Sequence, residues 1–408
     1  MLPLIKIAWR NLWRNKRRTF ITIASVFFAL FLALVMRSME FGSYDMMTRD
    51  AVRNSTGYIQ IHAPGYWNDK TIDNTFEASD ELFQKVASSA NVSEVIPRLE
   101  SFALASSGNI SKGVGIIGTI PETEAEITKL ADRIVAGSYF KAPTDPGILI
   151  GDDLARYLEV GLYDTVTLLS QGYHGSSAAA DFQVTGILHF PSPEMNRQLI
   201  YMTLETAQYF FAATGSLTSY SLLLYDIDKL DETANSLKAT VGEGYEIMTW
   251  DEMMVELKQQ IDSDNISGMF MLGILYVVVA FGIFGTILMI THERRKEFSV
   301  MIAVGMKRLK LSFIVFIETI FIGLIGIVAS IIFSIPVIYY FYLNPIPLTG
   351  DMAEIMLEYN IQPMMPFSTD PTIFVAQSLL VMCLTIIIAI YPFVKIMKFN
   401  LIKGLKDK

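Results

Sequence analysis

Residues 268–306 read GMFMLGILYVVVAFGIFGTILMIT, followed at once by HERRKEFSVMIAVGM. The first stretch has no charged residue, and the second opens on six ionisable ones. A helix rises about 1.5 Å per residue and the hydrocarbon layer is about 30 Å thick, so roughly 17–25 apolar residues cross it. The stretch 268–291 therefore predicts a transmembrane helix, and the charged residues after it mark the return to water. Three more runs have the same character. Residues 19–36 and 372–394 carry no charge, and residues 311–343 carry only Glu318. The first run is not read as a cleaved signal: such an apolar region is usually about 7–15 residues long and ends at a small-residue site, which Val35 to Glu40 does not offer.

The rest of the composition agrees. The chain has 408 residues, 52% hydrophobic and 18% charged, against about 25% charged in an ordinary soluble domain. Disorder and a simple soluble enzyme are excluded. A single cysteine, Cys383, excludes a disulfide scaffold, a thiolate zinc cluster and a CxxC redox pair. The net charge of −9 is unevenly spread. Lys6, Arg10, Arg14, Lys16, Arg17 and Arg18 precede the first run without an acid, residues 292–310 are mostly basic, and so is the tail 395–408. The connection 344–371 has Asp351, Glu354, Glu358 and Asp370 and no cation. By the positive-inside rule both termini and 292–310 are cytoplasmic, while 344–371 and the long segment 37–267 lie outside. Residues 37–267 contain 15 Lys and Arg against 33 Asp and Glu, a net of −18, leaving +9 for the remainder. Nucleic acid is not an expected partner.

The outer segment reads as α+β. Strands are expected at Tyr58–His62, Gly113–Ile117, Gly147–Ile150, Thr165–Leu169, Phe182–Leu188 and Tyr220–Tyr225, and helices at Ser79–Ala90 and around Leu204–Ala213. Thr249 and Glu252 form a capping-box pattern opening a helix toward the second span, with a break possible near Asp262–Ser267. Residues 37–53 lack proline and can mirror that helix, making two stalks.

No phosphate-cradling GxxxxGK[ST] loop, HExxH, GxSxG or paired-His spacing occurs. No catalytic residue, cofactor or metal is expected, and any ATP hydrolysis belongs to another chain. What stands out is basic and amphipathic. Residues 1–18 place Ile5, Ala8, Trp9, Leu12 and Trp13 on one helical face and cations on the other, the pattern of a helix lying in the membrane interface. Residues 292–310 place Glu293, Lys296 and Glu297 on one face and Phe298, Met301, Ile302 and Gly305 on another. A short helix of this kind between two spans is suited to receive a push from a cytoplasmic motor. Gly282, Gly285, Gly323 and Gly326 are expected at close helix approaches. Glu318 is costly in lipid, so it is expected to face protein near the cytoplasmic interface.

Two motifs in order, Ala8-x-Arg10-Asn11-Leu12-x-Arg14-Asn15-Lys16-x-Arg18-Thr19 and Glu293-Arg294-x-x-Glu297-x-x-x-Met301-x-Ala303-x-Gly305 with Glu318 downstream, resemble those of MacB/FtsX-type ABC transporter permeases. Gly118–Glu124, Gly151-x-x-Leu154-Ala155-x-x-Leu158, Asp164–Leu169 and Gly186-Ile187 resemble the periplasmic core of the lipoprotein-releasing branch, the LolC/LolE-like subunits. The sequence departs at Tyr163, where a glycine is usual, and in a short, proline-free hairpin, 170–181.

The resemblance implies a membrane protein of four transmembrane α-helices (1+3) in the bacterial inner membrane, with a large α+β periplasmic domain inserted between the first and second. Its segments are 1–18, the spans 19–36, 268–291, 311–343 and 372–394, the domain 37–267, the coupling helix 292–310, the outer loop 344–371 and the tail 395–408. It implies mechanotransmission with a cytoplasmic ABC ATPase dimer and a second permease subunit, identical or related. The ATPase-coupling residues are then Glu293, Arg294, Glu297, Met301 and Gly305, with Glu318 as an intramembrane structural tie. Lipoprotein or other lipidated cargo would enter from the membrane lipid past Phe28, Phe31, Met36 and Met39. Gln171, Tyr173 and His174 would present the hairpin to a periplasmic partner. An FtsX-like signal transmitter that moves no cargo, or a MacB-like efflux permease, remains open.

Overall fold

Among the described residues, four helices contain apolar windows long enough to cross a membrane: Lys16–Asn54, Val255–Glu293, Arg308–Leu343 and Pro371–Met397. They belong to a computed structural model that describes residues 2–14, 16–190, 193–351, 353, 356 and 363–398. Asn15, Glu354, Glu358 and the tail charges Lys403, Lys406, Asp407 and Lys408 lie outside these. The chain divides into two compact units. One comprises Met1–Asp45, Gln260–Pro347 and Met364–Lys408, and the other Met46–Gln259 and Leu348–Pro363.

In the helical unit, Val26, Leu30 and Leu34 of the first long helix pack with Tyr276, Ile283 and Ile287, with Ile327 and Ile338, and with Val381 and Ile388. The opposite faces stay apolar and exposed: Phe270, Ile274, Val278 and Phe281 on one helix, Ile332 and Phe333 on another. A surface of that extent is stable only against lipid or protein. Gly326 lets Val26 approach, since a Cβ there would lie 2.7 Å from the valine Cβ; Gly323 does the same for Thr385. Gly282 and Gly285 differ from expectation: among the described residues nothing lies within 4 Å of a Cβ at either, so no close helix crossing there depends on them. At one end of this unit the buried Arg37 donates to Glu40 at 2.8 Å and to Asn265 at 3.0 Å, tying the first two long helices together.

The possible break at Asp262–Ser267 does not occur. The helix runs unbroken from Val255, and Ser267 satisfies its hydroxyl on the Ser263 carbonyl at 3.0 Å. The interruption falls earlier, at Met254 (φ −106°, ψ 57°), after the single turn Trp250–Met253. The capping box starts that turn: the Thr249 side chain accepts from the backbone of Glu252, whose carboxylate accepts from the Thr249 N–H at 2.9 Å.

The α+β unit is built on ten strands: β1 (Ile59–His62), β2 (Val92–Ser107), β3 (Ile110–Thr119), β4 (Ile134–Gly137), β5 (Ile148–Gly151), β6 (Thr165–Gln171), β7 (Ser177–Leu188), β8 (Leu199–Thr203), β9 (Ser219–Leu224) and β10 (Glu246–Thr249). Their order is β10-β1-β9-β2-β3-β8-β5-β7-β4, and β6 pairs with both β2 and β7. The pairings β2-β3-β8-β5-β7-β6-β2 therefore close a ring, with β3/β8 and β5/β7 parallel and the others antiparallel. Closure removes the edges that an open sheet exposes. Leu99, Ile116, Ile150, Leu154, Val166, Leu168 and Val184 form its core. Strand β2 also carries β9, β1 and β10 along its first half, through Val92 to Arg98.

Where the ring and this extension share β2, Arg98 is 1% exposed. Its guanidinium donates to Glu124 at 2.9 Å and to the Ser55 carbonyl, and Glu124, itself fully buried, also accepts from Thr119 at 2.7 Å. Burial opposes the charge on Arg98, but Glu124 and then Glu100 outweigh it and hold the guanidinium above its ordinary value.

Candidate functional site

The charged end of the helical unit gathers residues from five helical segments. The N-terminal helix, Leu2–Arg14, is amphipathic as expected: Ala8 and Leu12 are buried, with Leu12 packed on Ile23 and Ile322. Trp9 packs edge-on against Phe321 at 5.6 Å. Thr19 donates to the Leu12 carbonyl at 2.8 Å and holds the turn into the first long helix. Two helical segments thereby present Asn11, Arg14 and Arg18 toward one place.

Opposite them, the helix Val255–Glu293 ends and the short helix Arg295–Ala303 begins, with Arg294 as its N-cap. Arg14 pairs with Glu297, Arg18 with Glu293, and Arg294 lies 3.2 Å from the same Glu297 oxygen. Glu318, in Arg308–Leu343, completes the set. One of its oxygens accepts from Arg294 at 2.5 Å and the other from Asn11 at 2.6 Å. Three arginines and three glutamates thus surround a cavity of about 500 Å³. Burial alone would raise the Glu297 carboxyl, but hydrogen bonds from Arg14 and Arg294 hold it below its ordinary range. Arg294 is penalised by burial and carried above its ordinary value chiefly by Glu318. Glu297 is consequently ionised near neutral pH, and its attraction for Arg14 and Arg294 would weaken only as pH falls through its depressed value.

The short helix is docked by Phe298, 1% exposed, which packs with Leu311, Val315 and Ile396, while Met301 and Met306 flank them. Its end corrects one expectation. Gly305 is not on a helical face; it follows the C-cap Val304 with φ 104°. The Gly305 N–H bonds the Ile302 carbonyl and the Met306 N–H bonds that of Met301, both at 3.0 Å, the 5→2 and 6→1 pattern of a Schellman stop. Nothing lies within 4 Å of a Cβ there, so the demand for glycine is conformational. Gly305→Ala should cost about 1–2 kcal/mol, read as a lower melting temperature of the purified chain; an unchanged value would refute the strain. Glu293 likewise belongs to the end of the preceding helix and not to the short one.

Other predicted residues stand apart from this cluster. Phe28 is 58% exposed, whereas Phe31, Met36 and Met39 are half-buried, the two methionines against the helical core. Phe27 stacks on Phe31 at 5.7 Å and meets Phe333 edge-on. In the α+β unit, β6 and β7 form the 170–181 hairpin, and its tip is held down. The Tyr173 N–H bonds the Phe211 carbonyl at 2.8 Å and its ring packs on the core, while the His174 N–H bonds Asp73 at 2.6 Å. Gln171 and the His174 side chain remain exposed. Sequence reasoning did not single out Asn11, Arg14 and Arg18 as partners of the acids, nor Val300 and Val304, which are 55% and 84% exposed on the short helix and at its cap. Their i, i+4 spacing, off the face that carries Phe298, Met301 and Ile302, was the available signal.

Residues 269–401, which contain the short helix and the two helices after it, match the FtsX-like permease C-terminal family. The chain therefore carries an FtsX-like permease C-terminal domain over those residues. The permease is 19% identical to the lipoprotein-releasing system transmembrane protein LolC of Neisseria meningitidis over 321 residues, 77% of this chain and 75% of that protein. An uncharacterized ABC transporter permease protein of Mycobacterium tuberculosis is 24% identical over 238 residues, 56% of this chain but only 26% of that much longer protein. Among solved structures, the periplasmic region of MacB from Actinobacillus actinomycetemcomitans aligns with 50% of the permease and 92% of that chain at 14% identity and a TM-score of 0.35. The extracellular domain of the transporter YknZ from Gram-positive bacteria aligns with 47% and 99% at 16% identity and a TM-score of 0.33.

Proposed function

We propose that the permease is the transmembrane subunit of an ABC transporter that works by mechanotransmission and extracts lipoproteins from the outer leaflet of the bacterial inner membrane. In this reading both termini and residues 292–310 face the cytoplasm, and the α+β unit is periplasmic, between the first span and the remaining three. Sorting of charge along the sequence supports that orientation. A separate ATPase dimer pushes on the short helix through exposed Val300 and Val304, and a second permease subunit completes the complex.

The observation that carries the reading is the double engagement of Glu318. Because Arg294 at the head of the short helix and Asn11 of the N-terminal helix grip the same carboxylate, a push on the short helix reaches the helix bearing Glu318 and the interfacial helix together. Motion is relayed by rigid helices and no polar pore is needed. Phe28, Phe31, Met36 and Met39 would line the route of the acyl chains, and Gln171 and His174 the contact with a periplasmic partner. The lipoprotein assignment draws on the likeness to LolC.

The test is reconstitution of the permease with its ATPase in vesicles loaded with a labelled triacylated lipoprotein. ATP-dependent release is expected. In Glu297→Lys, which sets a third cation beside Arg14 and Arg294, basal hydrolysis should persist while release falls at least tenfold. Hydrolysis that responds to the permease without releasing any lipoprotein would favour a signal transmitter and sink the transport reading.

A further inference from the structure

A cavity of about 560 Å³ lies within the α+β unit, where β2 passes from the extension into the ring. Sites that hold a small molecule usually have about 300–1,000 Å³. Gln60 of β1 and Arg98 of β2 line the cavity, each 1% exposed. Among the described residues neither the Gln60 Oε1 nor the Arg98 Nε has a hydrogen-bond partner. Turning the Gln60 amide does not change this, because its nitrogen is held by the Ser221 hydroxyl at 3.2 Å and one of the two atoms stays free either way. A buried polar atom left unmet is unfavourable, and a ligand that reaches it removes the penalty. The rest of the lining is largely apolar, with Trp67, Met195, Leu199 and Met254, while Lys70 and Glu194 bring one charge of each sign.

From Arg98 the same face of β2 continues through Glu100 to Phe102 and Leu104, while Ala103 and Ala105 point into the core of the ring. Phe102 is 62% exposed, Leu104 43%, and Leu169, opposite Leu104 on β6, 44%. Beside this ridge β3 sets Gly115 opposite Phe102 and Gly113 opposite Leu104, and Leu199 of β8 stands beyond Gly115. The glycines floor a trough between apolar ridges. From Arg98 to Leu104 the strand runs about 20 Å, enough for one acyl chain, which at half of a hydrocarbon layer is about 15 Å long. Two properties select that ligand. Residues Gly115–Thr119 of β3 are paired on both sides, so a peptide laid on this face would leave its amides without main-chain partners, whereas hydrocarbon has none to satisfy. Arg98 is already balanced by Glu124 at 2.9 Å and Glu100 at 3.5 Å, so its free Nε–H suits a neutral carbonyl oxygen and not a further carboxylate.

We propose that this cavity binds a single acyl chain in ester or amide linkage, its carbonyl oxygen accepting from the Arg98 Nε–H and its hydrocarbon lying along Phe102, Leu104 and the glycine floor. The chain belongs to a membrane lipid or to an acylated protein. Only the second source rests on the lipoprotein reading above; the site itself does not.

The test irradiates the full chain in nanodiscs with a monoacylglycerol whose chain carries a diazirine, and maps the labelled peptides by mass spectrometry. Label is expected within residues 98–117 and 195–199. Phe102→Glu sets a carboxylate in the path of the hydrocarbon and should lower that labelling about tenfold. Phe102→Leu, which stays apolar, and Val135→Glu, at a residue 61% exposed on β4 and outside the cavity, should each change it less than about twofold. Unlabelled monopalmitoylglycerol should compete, and free palmitate at the same concentration should compete less. Stronger competition by an N-palmitoylated peptide than by the glyceride would make acylated protein the source, and equal or weaker competition would make it membrane lipid; both support the site. A permease that releases no lipoprotein would leave these outcomes unaltered. Label confined to the helical unit, no loss in Phe102→Glu, equal losses in Phe102→Glu and Val135→Glu, palmitate as effective as its ester, or displacement by the same peptide without its acyl group would each overturn the proposal.

Discussion

Glu124→Ala should destabilise the α+β unit by about 3–5 kcal/mol, a large part of the roughly 5–15 kcal/mol that holds a domain folded. The carboxylate is fully buried and Arg98 is 1% exposed, so truncation strands a guanidinium where water cannot reach it. Glu100, 3.5 Å away and partly exposed, compensates only in part, and Thr119 loses its acceptor as well. The replacement should lower the melting temperature of the purified permease and leave residues 92–119 open to protease. A second variant separates charge from packing. Glu124→Leu combined with Arg98→Met removes both charges and keeps the volume, and should recover most of the loss, because apolar pairs commonly replace buried ion pairs at little cost. If Glu124→Ala melted with the unaltered protein, the pair would contribute nothing to the junction at β2. If the double variant were as unstable as the single one, the defect would lie in lost hydrogen bonds and not in an unpaired charge.

That pair also shows where sequence reading stops. Apolar length and charge sorting identified the four long apolar helices, because lipid imposes a composition that no soluble core needs. Strands such as β1, β5 and β7 were legible from a different signal, their alternating or continuous apolar character between turn residues. Strand β2 was not. It contains Glu94, Pro97, Arg98 and Glu100, which interrupt any apolar alternation, and the partner of the buried arginine, Glu124, lies 26 residues further on. Nor does local pattern reveal ring closure, since β6 meets β2 across more than 60 residues of chain. At the charged end, the acids and the basic helix were each visible, but their pairing, Arg14 to Glu297 and Asn11 to Glu318, spans about 300 residues. The Gly305 turn was misassigned because a helical period counted past Ala303 has no means of sensing a positive φ. The small residues at 282 and 285 show the converse limit: glycine marks where helices can approach, and Gly323 and Gly326 are where they do.

The Glu318 cluster, in the proposed role of linking motor to membrane, makes the sharper functional demand. Glu318→Ala removes the acceptor of both Arg294 and Asn11, in a setting where the two charged side chains are 14% and 10% exposed. Breaking a buried pair costs about 3–5 kcal/mol; with Glu297 still available to Arg294, about 2 kcal/mol is the expected net loss of docking for the short helix. That corresponds to about a 30-fold fall in the docked population. Phe298 and its apolar partners remain, so the helix should stay folded but move independently of the helix that carries position 318. Hydrogen exchange over residues 295–303 should accelerate while exchange in the α+β unit is unaltered, and ATP hydrolysis by the reconstituted complex should become insensitive to cargo. Glu318→Gln discriminates further. Its amide oxygen still accepts from Asn11 but its charge is gone, so the N-terminal helix should remain seated while Arg294 is released. A purely structural role predicts that Gln behaves like Glu in coupling. A relay through the ion pair predicts that Gln uncouples nearly as fully as Ala, although it exchanges more slowly at residues 2–14. Unchanged coupling in both variants would remove Glu318 from the path between motor and membrane and leave the apolar seat of Phe298 as the transmitting contact.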